Sequence, residues 1–333
     1  MKSGSEMAKK WVGLCFLAIL APGLSLAQKT QQDKVSEKLK LPEDPPLVAV
    51  GETSHLTFEV SPLSGKGLLS EQTRDALKAI LKLNKNTPIV HIRAFSAGNG
   101  DVRRIPQIVA DVLGDKHWPL PSVSVVQAGD LTLEGAQVVL ETISVSKKEV
   151  SKEGVTFVPA QTVMAEQTDS PMKPLLQKAM DQLAAKMSGT PVAVTCYVSS
   201  LDGGEDLLAV VQSRFAGAAV NLVQPRRLPW RISAACEGAV RGGTSAARLA
   251  FSGTQVAFGS EEKDAALAVQ RLDRALTEAG APSTKDAALV HLYILSPEVG
   301  PIAQKQVSGT FIPVENVAAS TAGFALDAVA PVR

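Results

Sequence analysis

The sequence predicts an α+β fold in which one β-α-β-α-β-β unit occurs three times. The first observation is a phenylalanine near the start of each unit, with spacings of 99 and 94 residues: Phe58, Phe157 and Phe251. The second is an acid in the closing strand of each unit, with spacings of 96 and 90 residues: Glu141, Glu237 and Asp327. Two markers with nearly equal periods indicate a tripled unit, so we expect three domains in the 333-residue chain.

The first unit is predicted over residues 47–150. Its apolar runs predict strands over 56–60, 89–95, 122–126 and 136–145. Apolar residues at helical spacing predict helices over 71–83 and 101–113. These elements follow the order β-α-β-α-β-β.

The second and third units repeat this order over residues 151–243 and 244–333. In the second unit we expect strands over 155–158, 192–198, 218–223 and 230–240, and helices over 173–187 and 205–215. In the third we expect strands over 249–258, 288–295, 311–314 and 324–329, and helices over 263–279 and 302–307. Several strands are apolar on both sides, so both faces of the sheets need cover.

Residues 1–27 have the pattern of a secretory signal peptide. Two lysines precede an apolar run over residues 11–20, a Pro-Gly pair ends the run, and small residues lead to Ala27. A spanning helix needs roughly 20 apolar residues, so we favour cleavage after Ala27 over an uncleaved anchor. We therefore expect an exported protein, periplasmic or secreted, without a stable membrane anchor after cleavage. Residues 28–46, rich in charged residues, glutamine and proline, predict a flexible linker.

Charge and cysteine content narrow the expected partners. With 45% hydrophobic and 20% charged residues the chain can bury a sizeable core, and its formal net charge is +1. Removing residues 1–27 takes away three lysines and one glutamate and leaves −1, which attracts neither nucleic acid nor an acidic membrane. Cys196 and Cys236 could pair in an oxidising compartment, but buried free thiols are common, and we favour free thiols.

Three segments of the sequence together resemble the RidA family, also called the YjgF family. They are the helix 71–80 before an apolar strand, the run Phe251-Ser-Gly-Thr-Gln-Val-Ala-Phe-Gly259 with the helix after it, and the three acid-bearing closing strands. The resemblance covers residues 48–330. Members of that family form trimers with a central β-barrel and outer helices. The resemblance therefore implies that one chain forms an intrachain pseudo-trimer of this kind and is a monomer.

The resemblance also implies a reaction, but the sequence lacks the residues that usually catalyse it. Enzymes of the family hydrolyse enamines and imines with an arginine that binds the substrate carboxylate and a glutamate that positions water. The arginine positions correspond to Pro121, Gly217 and Thr310, and the glutamate positions to Val139, Ala235 and Ala325. The usual catalytic pair is thus missing from all three units.

Other polar residues remain as candidates. Glu141, Glu237 and Asp327 lie two residues beyond the glutamate positions and so on the same strand face, although structural hydrogen bonding is the commoner role of such acids. An alignment on three serines makes His91 and His291 equivalent, with Arg93 and Tyr293 two residues later. Arg231 lies in a cationic turn between two strands and is a further candidate for binding a carboxylate, with a solvated turn as the alternative.

No metal or cofactor is expected from the sequence. The two histidines lack a third ligand at matched spacing, and no phosphate loop, zinc or calcium pattern occurs. The sequence thus favours a non-catalytic small-metabolite binding or scaffold protein, a pseudoenzyme of the RidA family with a carboxylate as a candidate ligand. The alternatives are an enamine/imine deaminase with a rearranged site that acts on 2-aminoacrylate-like substrates, and a structural partner of other exported proteins.

Overall fold

The structure is a computed structural model that describes residues 48–333 except 54, 99, 115, 116, 118, 146–153, 168, 227–231, 243–246, 320 and 333. The predicted signal peptide, the predicted linker and Arg231 lie outside the described residues. No described helix is long and apolar enough to cross a membrane.

The described chain contains fourteen strands and six α-helices in three successive stretches. The first stretch consists of β1 Val48–Thr53, β2 Leu56–Val60, α1 Leu69–Leu83, β3 Ile89–Ser96, α2 Arg104–Gly114, β4 Ser122–Gln127 and β5 Val138–Val145. The second consists of β6 Gly154–Met164, α3 Met172–Lys186, β7 Thr190–Val198, α4 Gly204–Arg214, β8 Ala219–Pro225 and β9 Ser233–Gly242. The third consists of β10 Ala247–Ser252, β11 Gln255–Ala257, α5 Glu262–Glu278, β12 Leu289–Ile294, α6 Val299–Gln306, β13 Thr310–Val317 and β14 Phe324–Val332.

The strands form two mixed sheets. The smaller sheet has the order β2-β5-β3-β4, and the larger has the order β1-β10-β14-β12-β13-β8-β7-β9-β6, with β11 paired to β14. Each stretch therefore arranges its four principal strands in the same spatial order. One parallel pair occurs in each stretch, β3 with β4, β7 with β8 and β12 with β13, and the antiparallel ladder between β13 and β8 joins the second and third stretches.

The closed barrel and the pseudo-trimer implied by the RidA resemblance are wrong. The described strands form an α+β arrangement of two separate sheets, which do not close on each other. One reason is β1, which was not predicted from the sequence and which pairs with β10 at the edge of the larger sheet. Another is that β4 and β6 are not paired in a ladder and meet through a side chain instead, since Ser124 Oγ accepts a hydrogen bond from the backbone Ala160 N at 3.0 Å.

The helices cover one face of the sheets and the other faces meet. Behind the smaller sheet, α1 and α2 bury a cluster that includes Leu77, Ile80 and Ile92. Comparable clusters lie behind the strands of the second and third stretches. Two further apolar clusters join residues of different stretches on the opposite strand faces. Burial of this apolar surface supplies the main stabilising free energy of the fold.

A disulfide bond joins Cys196 of β7 to Cys236 of β9. The two residues are cross-strand partners in the antiparallel ladder and their side chains are fully buried. The expectation of free thiols is therefore wrong. The sequence could not show that these strands are neighbours, because 40 residues and a complete β-α-β connection separate the cysteines.

Candidate functional site

The strand register places each of the three acids opposite a polar residue. Glu141 of β5 pairs with Arg93, Glu237 of β9 with Thr195, and Asp327 of β14 with His291. His91 pairs with Ile143 instead. Measured against the closing strands, Arg93 is the counterpart of His291. In the parallel ladders, however, His91 and His291 are equivalent, because they pair with Ser122 and Thr310 at the first position of each ladder.

Arg93 connects the two sheets through carboxylates. Its Nε atom donates to Glu237 Oε1 at 2.5 Å, and its Nη1 atom donates to Glu141 Oε2 at 3.0 Å. Both acids are nearly fully buried, and 17% of the Arg93 side chain is exposed. Among the described residues none accepts a hydrogen bond from Nη2 of this arginine. Charge-assisted bonds of this kind are about twice as strong as neutral ones.

His291 lies between two carboxylates. Its Nδ1 atom is 2.6 Å from Asp327 Oδ1 and its Nε2 atom is 3.0 Å from Glu141 Oε2. Burial disfavours the imidazolium form, but the carboxylates of Glu141 and Asp327 outweigh it and raise the pKa of His291 to about 10. His291 is therefore protonated at neutral pH, and it shares Glu141 Oε2 with Arg93.

His291 and Arg93 in turn lower the pKa of Glu141. Burial alone would raise the pKa of the Glu141 carboxyl, yet His291 and Arg93 lower it to about 2. Glu141 is consequently ionised over the whole physiological pH range. A carboxylate held in this way is a weak base, so its role is to bind donors rather than to remove protons.

Two tyrosines extend the network. Tyr293 OH donates to Asp327 Oδ2 at 2.6 Å, and Tyr197 OH donates to Glu237 Oε1 at 3.4 Å. Burial is the main cause that raises the pKa of both phenols well above their usual range. Both therefore remain neutral donors. Together with Arg93, His91, His291, Glu141, Glu237 and Asp327 they form what we call the central network.

His91 differs from His291 in its environment. Its Nδ1 atom is 2.7 Å from Ser122 Oγ, and its Nε2 atom is 3.8 Å from Glu237 Oε2. Burial lowers the pKa of His91 to about 4, although Glu237 opposes the shift. The ring is therefore neutral at pH 7. Because a carboxylate favours a facing N–H, we assign the proton to Nε2 and the role of acceptor to Nδ1, where Ser122 donates.

A cavity of about 60 Å³ borders the central network. It is lined by His91, Arg93, Glu141, Glu237 and His291, and by apolar and hydroxyl side chains that include Phe58, Phe157, Phe251, Thr195 and Ser252. Phe58 and Phe157 are only half-buried, so this wall lies towards solvent. Since roughly 10–15 Å³ of water-accessible space is enough for one water, the central cavity has room for several water-sized groups.

Two carboxylate oxygens at this cavity lack donors. No described residue donates a hydrogen bond to Glu141 Oε1 or to Glu237 Oε2, although both are buried. The nearest cation-forming group to Glu237 Oε2 is His91 Nε2 at 3.8 Å, which is an electrostatic contact and too long for a hydrogen bond. Buried polar atoms normally have partners, so these two atoms mark positions for donors from a water or a ligand.

The structure brings most of the predicted site residues together. Seven of them lie in the central network: Glu141, Glu237, Asp327, Arg93, His91, His291 and Tyr293. Arg231 lies outside the described residues. Tyr197, Ser122 and the lining role of the three phenylalanines were not predicted from the sequence. The near-equal spacing of Phe58, Phe157 and Phe251 was a signal for that role, but the same spacing is equally expected of a structural repeat.

Two larger clefts lie away from the central cavity. One, of about 640 Å³, lies between β4 with the start of α2 and strands β6, β7 and β9. The other, of about 440 Å³, lies beside Arg226, whose guanidinium donates to Leu295 O and Val314 O and contacts Asp130. Neither cleft is lined by a described histidine or by a buried described carboxylate. No set of three described His, Cys, Asp or Glu side chains is arranged to hold a metal ion.

Comparisons with known proteins bear on the fold. No protein-family model matches the chain, and no curated protein matches it. A solved structure of a chorismatase matches 83% of this chain and 98% of its own, at 8% identity and a TM-score of 0.51. The chain shares the fold of that chorismatase. A cyanuric acid hydrolase from A. caulinodans matches 84% of this chain and 99% of its own, at 12% identity and a TM-score of 0.42.

These findings correct the family and the functions drawn from the sequence. The assignment to the RidA family is wrong, because the fold is shared with a chorismatase and no family model matches the chain. The functions that depended on that assignment, a RidA-like binding or scaffold pseudoenzyme and an enamine/imine deaminase, are wrong with it. The segments that carried the resemblance are an amphipathic helix, a turn and apolar strands, and such patterns occur in unrelated α+β folds.

Proposed function

We propose that the protein is a hydrolase of small molecules and that the central network is its active centre. The observation that carries the proposal is the pair of buried carboxylate oxygens, Glu141 Oε1 and Glu237 Oε2, which belong to residues that line the central cavity and which have no donor among the described residues. Clusters of ionisable groups with strongly shifted pKa values in a cavity are typical of active sites. The shared fold of a chorismatase is consistent with the proposal.

His91 and Glu237 hold the attacking water in this proposal. A water that accepts a hydrogen bond from His91 Nε2 and donates one to Glu237 Oε2 satisfies both groups across their 3.8 Å separation. Ser122 orients the imidazole through the 2.7 Å contact at Nδ1. Glu237 then receives a proton as the water oxygen attacks the electrophilic carbon of the substrate. The same proton passes to the leaving group as its bond to that carbon breaks.

Arg93 and His291 stabilise negative charge that develops during the attack. Both carry positive charge at neutral pH and both line the cavity. Nη2 of Arg93 makes no hydrogen bond to a described residue, so it can donate to a substrate oxygen. Fixed positive groups in a site that excludes water favour such a charge more strongly than they do in bulk solvent.

Isotope labelling from solvent water tests this function for any small-molecule substrate. The purified full chain is incubated in H₂¹⁸O with a small-molecule metabolite extract, and the products are analysed by mass spectrometry. The proposal predicts a protein-dependent product that carries ¹⁸O and that forms much more slowly with Glu237→Gln. An extract that shows no protein-dependent labelled product would contradict it.

Export and the domain division are further parts of the proposal. The disulfide between Cys196 and Cys236 supports an oxidising compartment, because such bonds persist mainly in exported proteins. The same spatial strand order in each stretch supports domains over 47–150, 151–243 and 244–333. A monomeric state in solution remains a prediction. Mass spectrometry of the protein purified from its natural host should show a chain that begins at Gln28.

A further inference from the structure

The charges of the central network do not balance. Three carboxylates, Glu141, Glu237 and Asp327, face two cations, Arg93 and His291. His91 adds no charge at neutral pH, because it is buried and neutral. The network thus contains three acidic side chains for two cations. A buried charge without a partner is costly, so a positive group bound here would be favoured.

One atom of the network is placed to receive that group. Oε2 of Glu141 already accepts from Arg93 and His291, whereas Oε1 accepts from no described residue. Glu141 is 4% exposed and lines the cavity. Its Oε1 atom is therefore a buried acceptor on a cavity-lining residue, without a donor among the described residues.

The cavity lining suits a compact cation. Phe58, Phe157 and Phe251 supply aromatic surface, and aromatic faces attract ammonium groups. Thr195 and Ser252 add hydroxyl oxygens that can accept further N–H groups. The volume of about 60 Å³ admits a primary ammonium head together with water. A quaternary ammonium group has no N–H to donate to a carboxylate oxygen.

A carboxylate is disfavoured in the same place. The Nε and Nη1 atoms of Arg93 are already bonded to Glu237 and Glu141, so a ligand cannot bind the guanidinium bidentately through them. Arg93 therefore offers a ligand carboxylate only its Nη2 atom.

We propose that the central cavity binds the primary ammonium group of a small ligand, with Glu141 Oε1 as its acceptor. The inference rests on the proposed function in one respect. If the protein is a hydrolase, this ligand is its substrate, and the substrates are small compounds that carry a primary amine. Glu237 and His91 remain available for the attacking water. Binding itself does not require the hydrolytic step.

Thermal unfolding in matched salts tests the inference at pH 7. The full chain is melted in methylammonium chloride, tetramethylammonium chloride and sodium chloride at equal ionic strength, together with Glu141→Gln and Phe58→Leu. Methylammonium at about ten times its Kd should raise the Tm of the wild type by about 3 °C over the other two salts. Glu141→Gln should lose this rise, and Phe58→Leu, at a half-buried position, should weaken it several-fold.

Glu59→Gln is the matched control. Glu59 lies on β2, bonds Thr142 and Ser144, and does not line the cavity, so its variant should keep the methylammonium effect. The inference would be overturned if the wild type had the same Tm in all three salts. It would also be overturned if methylammonium raised the Tm of both Glu141→Gln and Phe58→Leu as much as that of the wild type. If the protein forms an ¹⁸O-labelled product but methylammonium does not raise its Tm, only this inference is wrong. If methylammonium raises the Tm but no labelled product forms, only the proposed function is wrong.

Discussion

Arg93 and Glu237 are 144 residues apart in the chain, and their side chains meet at 2.5 Å. Arg93 belongs to the four-stranded sheet and Glu237 to the larger sheet. The contact therefore joins the two sheets at their facing sides. It also places a cation of one sheet beside a carboxylate that we assign to the hydrolytic step, so stability and function depend on the same ion pair.

Replacing Arg93 by leucine should strongly destabilise the protein. Glu141 and Glu237 would lose their shared cation while remaining buried, and breaking a buried ion pair in this way typically costs about 3–5 kcal/mol of unfolding free energy. Urea unfolding measures the loss. Arg103→Leu is the control, because Arg103 is exposed and its ion pair is with Asp101 on the surface, so its variant should unfold like the wild type. Equal stability of both variants would show that the buried ion pair contributes nothing.

The stability of the protein should fall as the pH rises from about 6.5 towards 10. The pKa of His291 is raised to about 10 in the folded protein from its ordinary value of 6.5, so protonated His291 favours the folded state. This contribution is complete below pH 6.5 and is lost as the pH rises through about 10. Unfolding free energies measured near pH 6, 8 and 10 should show a smaller decrease in His291→Gln than in the wild type. His117→Asn, at an exposed position, should retain the wild-type decrease.

Removing the disulfide should lower the unfolding free energy by about 3–4 kcal/mol. The bond closes a sequence separation of 40 residues, and such a loop restricts the unfolded chain by about this amount. The double variant Cys196→Ala/Cys236→Ala tests the effect by urea unfolding. Because both cysteines are fully buried, a reductant should act on the wild type only once it unfolds, and it should not change the double variant. A double variant as stable as the wild type would contradict this expectation.

Gly323 should not tolerate a side chain. A Cβ atom there would clash with the backbone oxygen of Gly259, and the backbone is held in place because Gly323 N donates to Ala257 O at 2.9 Å. We expect Gly323→Ala to cost about 2 kcal/mol or more in urea unfolding. Gly114→Ala is the matched control. Gly114 is the last residue of α2 and has open space around its Cβ position, so alanine there should keep the unfolding free energy within about 1 kcal/mol of the wild type.

Local elements were largely predictable from the sequence. The helices predicted over 71–83, 173–187 and 263–279 correspond to α1, α3 and α5 within two residues at each end. Apolar residues at helical spacing carry this information locally, so no tertiary context is needed. The strand predicted over 249–258 was less accurate, because it divides into β10 and β11. Such a break depends on packing that single-strand periodicity does not record.

The pairing of distant elements was not predictable. β1 lies next to the predicted linker and pairs with β10, about 200 residues further along the chain. The three acids were identified as candidate site residues, but their partners were not, because Arg93 contacts Glu237 and His291 contacts Glu141 across different stretches. The disulfide was missed for the same reason. Charge and spacing identify candidate residues, whereas the strand order decides which of them meet.

The rate of ¹⁸O incorporation into the labelled product tests the central claim most directly. It is compared between the wild type, Glu237→Gln and Glu59→Gln, with the Tm of each variant measured in parallel. The Glu237→Gln variant lacks the carboxylate that receives the proton of the water, so its ¹⁸O incorporation should be about 10²–10⁴-fold slower than that of the wild type. The Glu59→Gln variant should react at the wild-type rate. A folded Glu237→Gln variant that incorporates ¹⁸O as fast as the wild type would show that the central network is not the hydrolytic centre.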